Sequence, residues 1–261
     1  MRHRRLVLTA AAVWVLAPSS AFAGGHAPKP PTTPVTYDVS YPQCGGAMPS
    51  NADSGIVGVN DGIVLSANPC LATEWTWATH ATGHAPAFYA NTGDPGPAYS
   101  SHWPAGQQSP QVCDGSNSTA CAYDYGWNAA KDSFADAARV TSAAASYQWW
   151  LDVETGNSWE TLESAYGQTA AAQAADRAAL AGEVAALTDS GVRSVGVYST
   201  SYQWQQITGG TGTQFAASPV WVAGTGSLST AAANCAAAGF TGGPVVLTQY
   251  AKSGYDADDR C

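Results

Sequence analysis

The chain has 261 residues, a formal charge of −9, 45% hydrophobic residues and 10 tryptophans. Such apolar and aromatic content excludes a disordered chain, and the acidic balance disfavours nucleic acid as a partner. Six cysteines, an even number, suit a disulfide set in an oxidising compartment, and no Cys-x-x-Cys or His-rich spacing points to a metal.

In chain order, Met1-Arg-His-Arg-Arg5 is basic, Leu6 to Ala17 is apolar, and Ala21-Phe22-Ala23 has the small-x-small pattern of a signal-peptidase site. Residues 1–23 therefore read as an export signal. Their apolar run of about a dozen residues is shorter than the about twenty that a bilayer span needs. The protein is expected to be secreted to the extracellular side, free of the membrane after cleavage, and monomeric. Residues 24–35 read as a Pro-rich linker with nothing large to bury. Residues 36–261 read as one domain, because nothing after Tyr37 resembles a second linker.

Short β-branched or apolar runs predict strands at Thr36–Ser40, Ile56–Ile63, Pro86–Asn91, Gln148–Glu154, Ser194–Ser199, Pro219–Ala223, Val245–Tyr250 and Tyr255–Asp258. Between them, Cys70–Thr82, Tyr123–Ala145, Tyr166–Ser190, Ser201–Thr208 and Ser229–Ala238 carry Ala, Leu, Gln and Glu at helical spacing. Gly191 and Gly239 stand where a left-handed residue closes a helix. This alternation is the order of a parallel sheet, either an α/β (β/α)8 TIM-type barrel or an open doubly wound sheet. The open sheet normally carries a Gly-rich phosphate loop after its first strand; here Tyr41-Pro-Gln-Cys-Gly-Gly46 follows, so a barrel is expected. The polar, Gly- and Pro-rich stretch Thr92–Ala122 would then lie over the C-terminal mouth as one wall of a cleft. Sequence alone does not select a cysteine connectivity. Proximity favours Cys44 with Cys70, Cys113 with Cys121, and Cys235 with Cys261, most firmly the middle pair.

Two acids stand out in Trp149-Trp-Leu-Asp-Val-Glu154. On a strand, residues two apart point to the same side, so Asp152 and Glu154 face together. Like charges on a buried strand are costly unless solvated, paired or useful, and such a pair suits acid chemistry. The plainer alternative has one carboxylate capping a loop and the other in solvent. Asp38, in Tyr37-Asp-Val-Ser40, is a third acid in a strand, and it gains meaning only if strands one and four deliver acids to one mouth. His80 and His84 lack the Glu of a zinc-protease helix and read as surface histidines. No Gly-x-Ser-x-Gly elbow or cysteine-protease signature is present. Asn117-Ser-Thr119 matches a glycosylation sequon, which by itself implies only exposure.

An Asp-x-Ser first strand and an Asp-x-Glu fourth strand together resemble the glycoside hydrolase family 25 lysozymes, which cleave the glycan strands of peptidoglycan. Val197-Tyr-Ser-Thr200 with Trp204, Pro219-Val-Trp-Val-Ala223, Gln249-Tyr250 and Tyr255-Asp-Ala-Asp258 look, in order, like that family's fifth, sixth, seventh and closing segments. The resemblance implies a barrel stapled by disulfides, acting on a polysaccharide, peptidoglycan, with no metal or organic cofactor. It implies Glu154 as the general acid and Asp152 as the group that stabilises or orients the substrate's N-acetyl group. Asp38 and Asp256 would be supporting acids, and Trp150, Tyr198, Trp221, Gln249 and Tyr250 would bind sugar. Departures fall where the cleft would be lined. Gly58-Val-Asn-Asp-Gly62 replaces a Lys-Ala-Thr-like segment, Phe88-Tyr-Ala-Asn91 replaces Tyr-His-Phe, and Asp258 replaces a closing Asn. A barrel of the same fold that binds glycan or cell wall without cutting it therefore stands as the alternative.

Overall fold

Alternation along one strand builds two cores. In the computed structural model, which describes residues 35–210 and 213–261, the fourth strand, β4 (Gln148–Asp152), sends Trp149 and Leu151 outward and Trp150 and Asp152 inward. The outward set, with Phe88, Val57, Leu180 and Leu187, forms the layer between sheet and helices. The inward set, Ile56, Ala87, Trp150, Trp221 and Leu247, plugs the centre. The expected export signal and all but Val35 of the expected linker lie outside the described residues.

The other strands are β1 (Val35–Val39), β2 (Ala52–Gly58), β3 (Ala87–Asn91), β5 (Val195–Ser199), β6 (Val220–Val222), β7 (Val245–Lys252) and β8 (Tyr255–Arg260). They close into a barrel in chain order. Helices α1 (Leu71–Thr79), α2 (Thr119–Val140), α3 (Ala170–Asp189), α4 (Ser201–Thr208) and α5 (Leu228–Asn234) cover the connections from β2 to β7. The expected eight-stranded α/β barrel is thus present, but it is not wholly parallel. β8 runs antiparallel to both β7 and β1. A parallel return needs a crossover of a dozen or more residues, and only Ser253-Gly254 joins β7 to β8, both with positive φ, 55° and 84°, as a two-residue hairpin requires.

Several boundaries differ from the sequence reading, three of them through a hydrogen-bonding side chain. β2 stops at Gly58 rather than Ile63, because Asn60 turns the chain: its Nδ2 donates to Ser66 O at 2.9 Å and its Oδ1 accepts from Asn91 N at 2.9 Å. α2 begins at Thr119, before the expected Tyr123, because Ser118 accepts from Cys121 N; α3 begins at Ala170, after Tyr166, because Thr169 accepts from Ala172 N. α2 ends at Val140 rather than Ala145, where Thr141 is extended. Gly191, φ 91°, follows the end of α3, whereas α5 stops at Asn234, well short of Gly239. α2 and α3 approach closely through two glycines: a Cβ on Gly126 would lie 2.0 Å from Ala179 O, and one on Gly182 2.0 Å from Tyr123 O.

Cys44 is bonded to Cys70, Cys113 to Cys121, and Cys235 to Cys261. The last bond ties the end of β8 to the residue that caps α5.

Candidate active site

The strands point their C-terminal ends at one mouth, and β8, being reversed, brings its N-terminal end there. Asp256 thereby stands opposite Asp38 in register. At this mouth lies a cavity of about 310 Å³ whose wall includes Asp38, Tyr41, Tyr89, Asn91, Asp152, Glu154, Asn157, Tyr198, Trp221, Gln249 and Asp256. No Lys, Arg or His lines it among the described residues.

All four acids singled out from sequence line this cavity, and so do Tyr198, Trp221 and Gln249. Two residues expected to bind sugar stand apart from this wall. Tyr250 follows Gln249 directly and so points to the other side of β7, where it packs with Tyr37, Ala231 and Ala257 outside the barrel. Trp150 faces inward but sits a layer below Asp152, 2% exposed, packed on Trp221. The stretch Thr92–Ala122 also contributes nothing to the wall. It folds against the β4–α3 loop, Ala98 N donating to Tyr166 Oη at 3.0 Å, and against α2, Trp103 stacking on Tyr125.

Asp152 is 5% exposed. Its Oδ2 accepts from Asn91 Nδ2 at 2.6 Å, while Oδ1 is buried and receives no N–H. Burial first, then the charges of Glu154 and Asp38, push Asp152 well above the usual carboxylate range. The protonated form of Asp152 is thereby favoured. Glu154 is half-buried, and its Oε1 accepts from Gln203 Nε2 at 3.3 Å. The strand end is held rigidly: Thr92 Oγ1 and Asn157 Nδ2 donate to Asp152 O at 2.6 and 2.9 Å, Ser199 Oγ to Val153 O at 2.6 Å, and Trp159 Nε1 to Glu154 O at 2.9 Å.

Across the cavity, Gln249 has one orientation that satisfies its neighbours. Its Oε1 accepts from Tyr198 Oη at 2.8 Å and Gly224 N at 3.1 Å, so its Nε2 points to Asp38, at 3.3 and 3.1 Å from the two oxygens. Burial, then the charge of Asp256, raises Asp38 to about 7, against the opposing bonds from Gln249 and Asp258. The arrangement offers a proton on one wall, carboxyls on both, and aromatic faces at Tyr41, Tyr89, Tyr198 and Trp221. That set can protonate a leaving oxygen and stabilise positive charge developing beside it.

Asn91, Gln203 and Asp258 are the polar partners that sequence reading does not assign. Asn91 stands in register with Asp152, and only strand pairing reveals that. His84 pairs with Asp53, and His80 bonds Thr76 O at 2.6 Å, both away from the cavity.

Among solved structures, the chain is similar to a muramidase from Trichobolus zukalii, at 19% identity and a TM-score of 0.52 over 88% of this chain and 94% of that one. It is similar to a family GH25 lysozyme from Aspergillus fumigatus at 14% identity and 0.53, over 88% and 94%. It is also similar to a bacterial lysozyme from Streptomyces coelicolor at 19% identity and 0.50, over 87% and 91%. No family model matches the chain, and no curated protein matches it. At these identities the likeness is one of fold: the barrel has the fold of the glycoside hydrolase family 25 lysozymes.

Proposed function

We propose that this chain is a secreted glycoside hydrolase that cleaves the glycan strands of peptidoglycan by carboxylate acid catalysis. The observation that carries the reading is the Asp152–Glu154 pair on the rigid end of β4, lining one cavity with Asp38 in a barrel of muramidase fold. Fold alone does not imply activity; the paired acids argue for it.

In this reading Glu154, the more exposed of the two, protonates the glycosidic oxygen with the proton that Asp152 shares with it. As the bond to the leaving sugar breaks, both carboxyls become anionic and face the oxocarbenium-like carbon. Asp152, fixed by Asn91, orients the neighbouring acetamido group, and attack by water returns the proton to the pair. Asp38 and Asp256 support the far wall. Tyr198, Trp221 and Gln249 bind sugar, and no metal or organic cofactor takes part.

Residues 1–23 serve as the export signal, 24–35 as a linker and 36–261 as the catalytic domain. Three disulfides fit an oxidising compartment, and no helix among the described residues is long and apolar enough to cross a membrane. Incubation of the oxidised protein with purified peptidoglycan tests the reading. New reducing ends are expected. Co-sedimentation with the polymer and no new ends would instead identify a glycan-binding barrel.

A further inference from the structure

We infer that Gln203 is a positioning residue for Glu154: its side-chain amide holds one carboxyl oxygen and leaves the other to pass the proton. The inference deepens the glycosidase reading and rests on it for the kinetic arm of its test. Gln203 is not part of the cavity wall, so it reaches a substrate only through Glu154.

Strand pairing brings the two residues together. Asp152 on β4 stands beside Tyr198 on β5; beyond them Val153 N donates to Tyr198 O at 2.9 Å and Ser199 Oγ to Val153 O at 2.6 Å. The chains that leave the two strands therefore run side by side, one into Glu154-Thr155 and the other into α4. The first turn of α4 is fixed at two points. Thr200 Oγ1 accepts from Gln203 N at 3.1 Å, and Trp204, 1% exposed, packs on Phe215 and Phe240.

The Gln203 amide has one orientation that satisfies its neighbours. Its Oε1 accepts from Thr155 N at 2.6 Å and from Thr155 Oγ1 at 3.1 Å, and of the two ends of an amide only the oxygen accepts from an N–H. Nε2 is thereby the atom that lies 3.3 Å from Glu154 Oε1. An N–H donates to a lone pair, so Oε1 is the acceptor oxygen of the acid form and Oε2 is left for the proton. The residue type matters too. Asp38, Tyr41, Tyr89, Asp152, Tyr198 and Asp256 share the cavity with Glu154, and no Lys, Arg or His does among the described residues. A Lys or Arg in place of Gln203 would hold Glu154 as its anion, and a carboxylate would repel it, whereas an amide orients it without adding charge.

Gln203→Met keeps the length and removes both ends of the amide; Gln203→Glu keeps the acceptor for Thr155 and loses the donor. On solubilised peptidoglycan, Gln203→Met should lower kcat by about tenfold with KM changed less. Gln203→Glu should be at least as impaired, and its kcat should fall off at a pH higher by roughly one unit, because a like charge beside an acid keeps it protonated. A residue that only tethers Thr155 would leave Gln203→Glu close to the wild type with an unmoved pH profile, and that result overturns the inference. The amide also gives a readout that needs no activity. In proton–nitrogen correlation NMR spectra the Gln203 side-chain resonance, identified by its loss in Gln203→Met, should shift with pH in the wild type and lose most of that shift in Glu154→Gln. A resonance that ignores pH in the wild type, or titrates equally in Glu154→Gln, likewise overturns the inference. If the wild type cleaves no glycan, the glycosidase reading fails, and the NMR titration still decides whether Gln203 holds Glu154.

Discussion

Asn91 determines which carboxyl oxygen of Asp152 is left for the proton. By donating to Oδ2 it leaves Oδ1 as the buried oxygen without a partner, and its own N–H is held by Asn60, so the donor is fixed before substrate arrives. Asn91→Ala should therefore lower kcat by about tenfold with a smaller change in KM, since an unmet buried carboxyl oxygen costs about 1–3 kcal/mol. Steady-state kinetics on solubilised peptidoglycan checks this, and an unchanged kcat would contradict it. Asp152 and Glu154 are legible in the sequence because period-two alternation is a local property of one strand. The same rule shows why Gln249 and Tyr250 cannot both face the cavity. Asn91 and Asp258 are not legible in this way. Their importance depends on which residue of the next strand lies beside them, and a single strand does not encode that register.

At the scale of elements, all eight strands and all five helices fall where periodicity and turn residues predict them, with shifts set by Ser118, Thr169 and Asn60. The reversed eighth strand was signalled by Ser253-Gly254 between two strand-like runs, a two-residue turn that only an antiparallel pair accepts. That hairpin carries Asp256 to the mouth, so the turn chemistry has a functional consequence. The α2–α3 contact depends on Gly182, where any Cβ meets the Tyr123 carbonyl. Gly182→Ala would gain up to about 1 kcal/mol of helix propensity, but the helices must separate to admit the methyl. A net loss of about 2 kcal/mol is expected by urea denaturation with an unchanged m-value. A neutral or stabilising result would show that the helices adjust freely.

For the whole molecule, the dominant electrostatic feature is buried acid. Beyond the cavity, Asp94, Asp176 and Glu183 are all buried and all raised, chiefly by desolvation, Asp176 to about 8; Asp38 is raised to about 7. Each binds a proton in the folded state that the unfolded chain releases near pH 4. The native state therefore holds more protons than the unfolded state between about pH 4 and about pH 8, and stability falls as pH rises through that interval. Tm at pH 5 should exceed Tm at pH 8, and a Tm that climbs over the same range would contradict these protonation states. An acid-favoured fold also suits a catalyst whose acid pair must hold a proton.

The most direct test of the account is the rate of reducing-end release from purified peptidoglycan by the wild type and by Glu154→Gln, both folded and oxidised, at mildly acidic pH. The account predicts release by the wild type and a loss of at least about a hundredfold in the variant, the scale on which general acids act. Equal rates would remove Glu154 from the chemistry, and no release by a folded wild type would leave a barrel that binds glycan without cutting it.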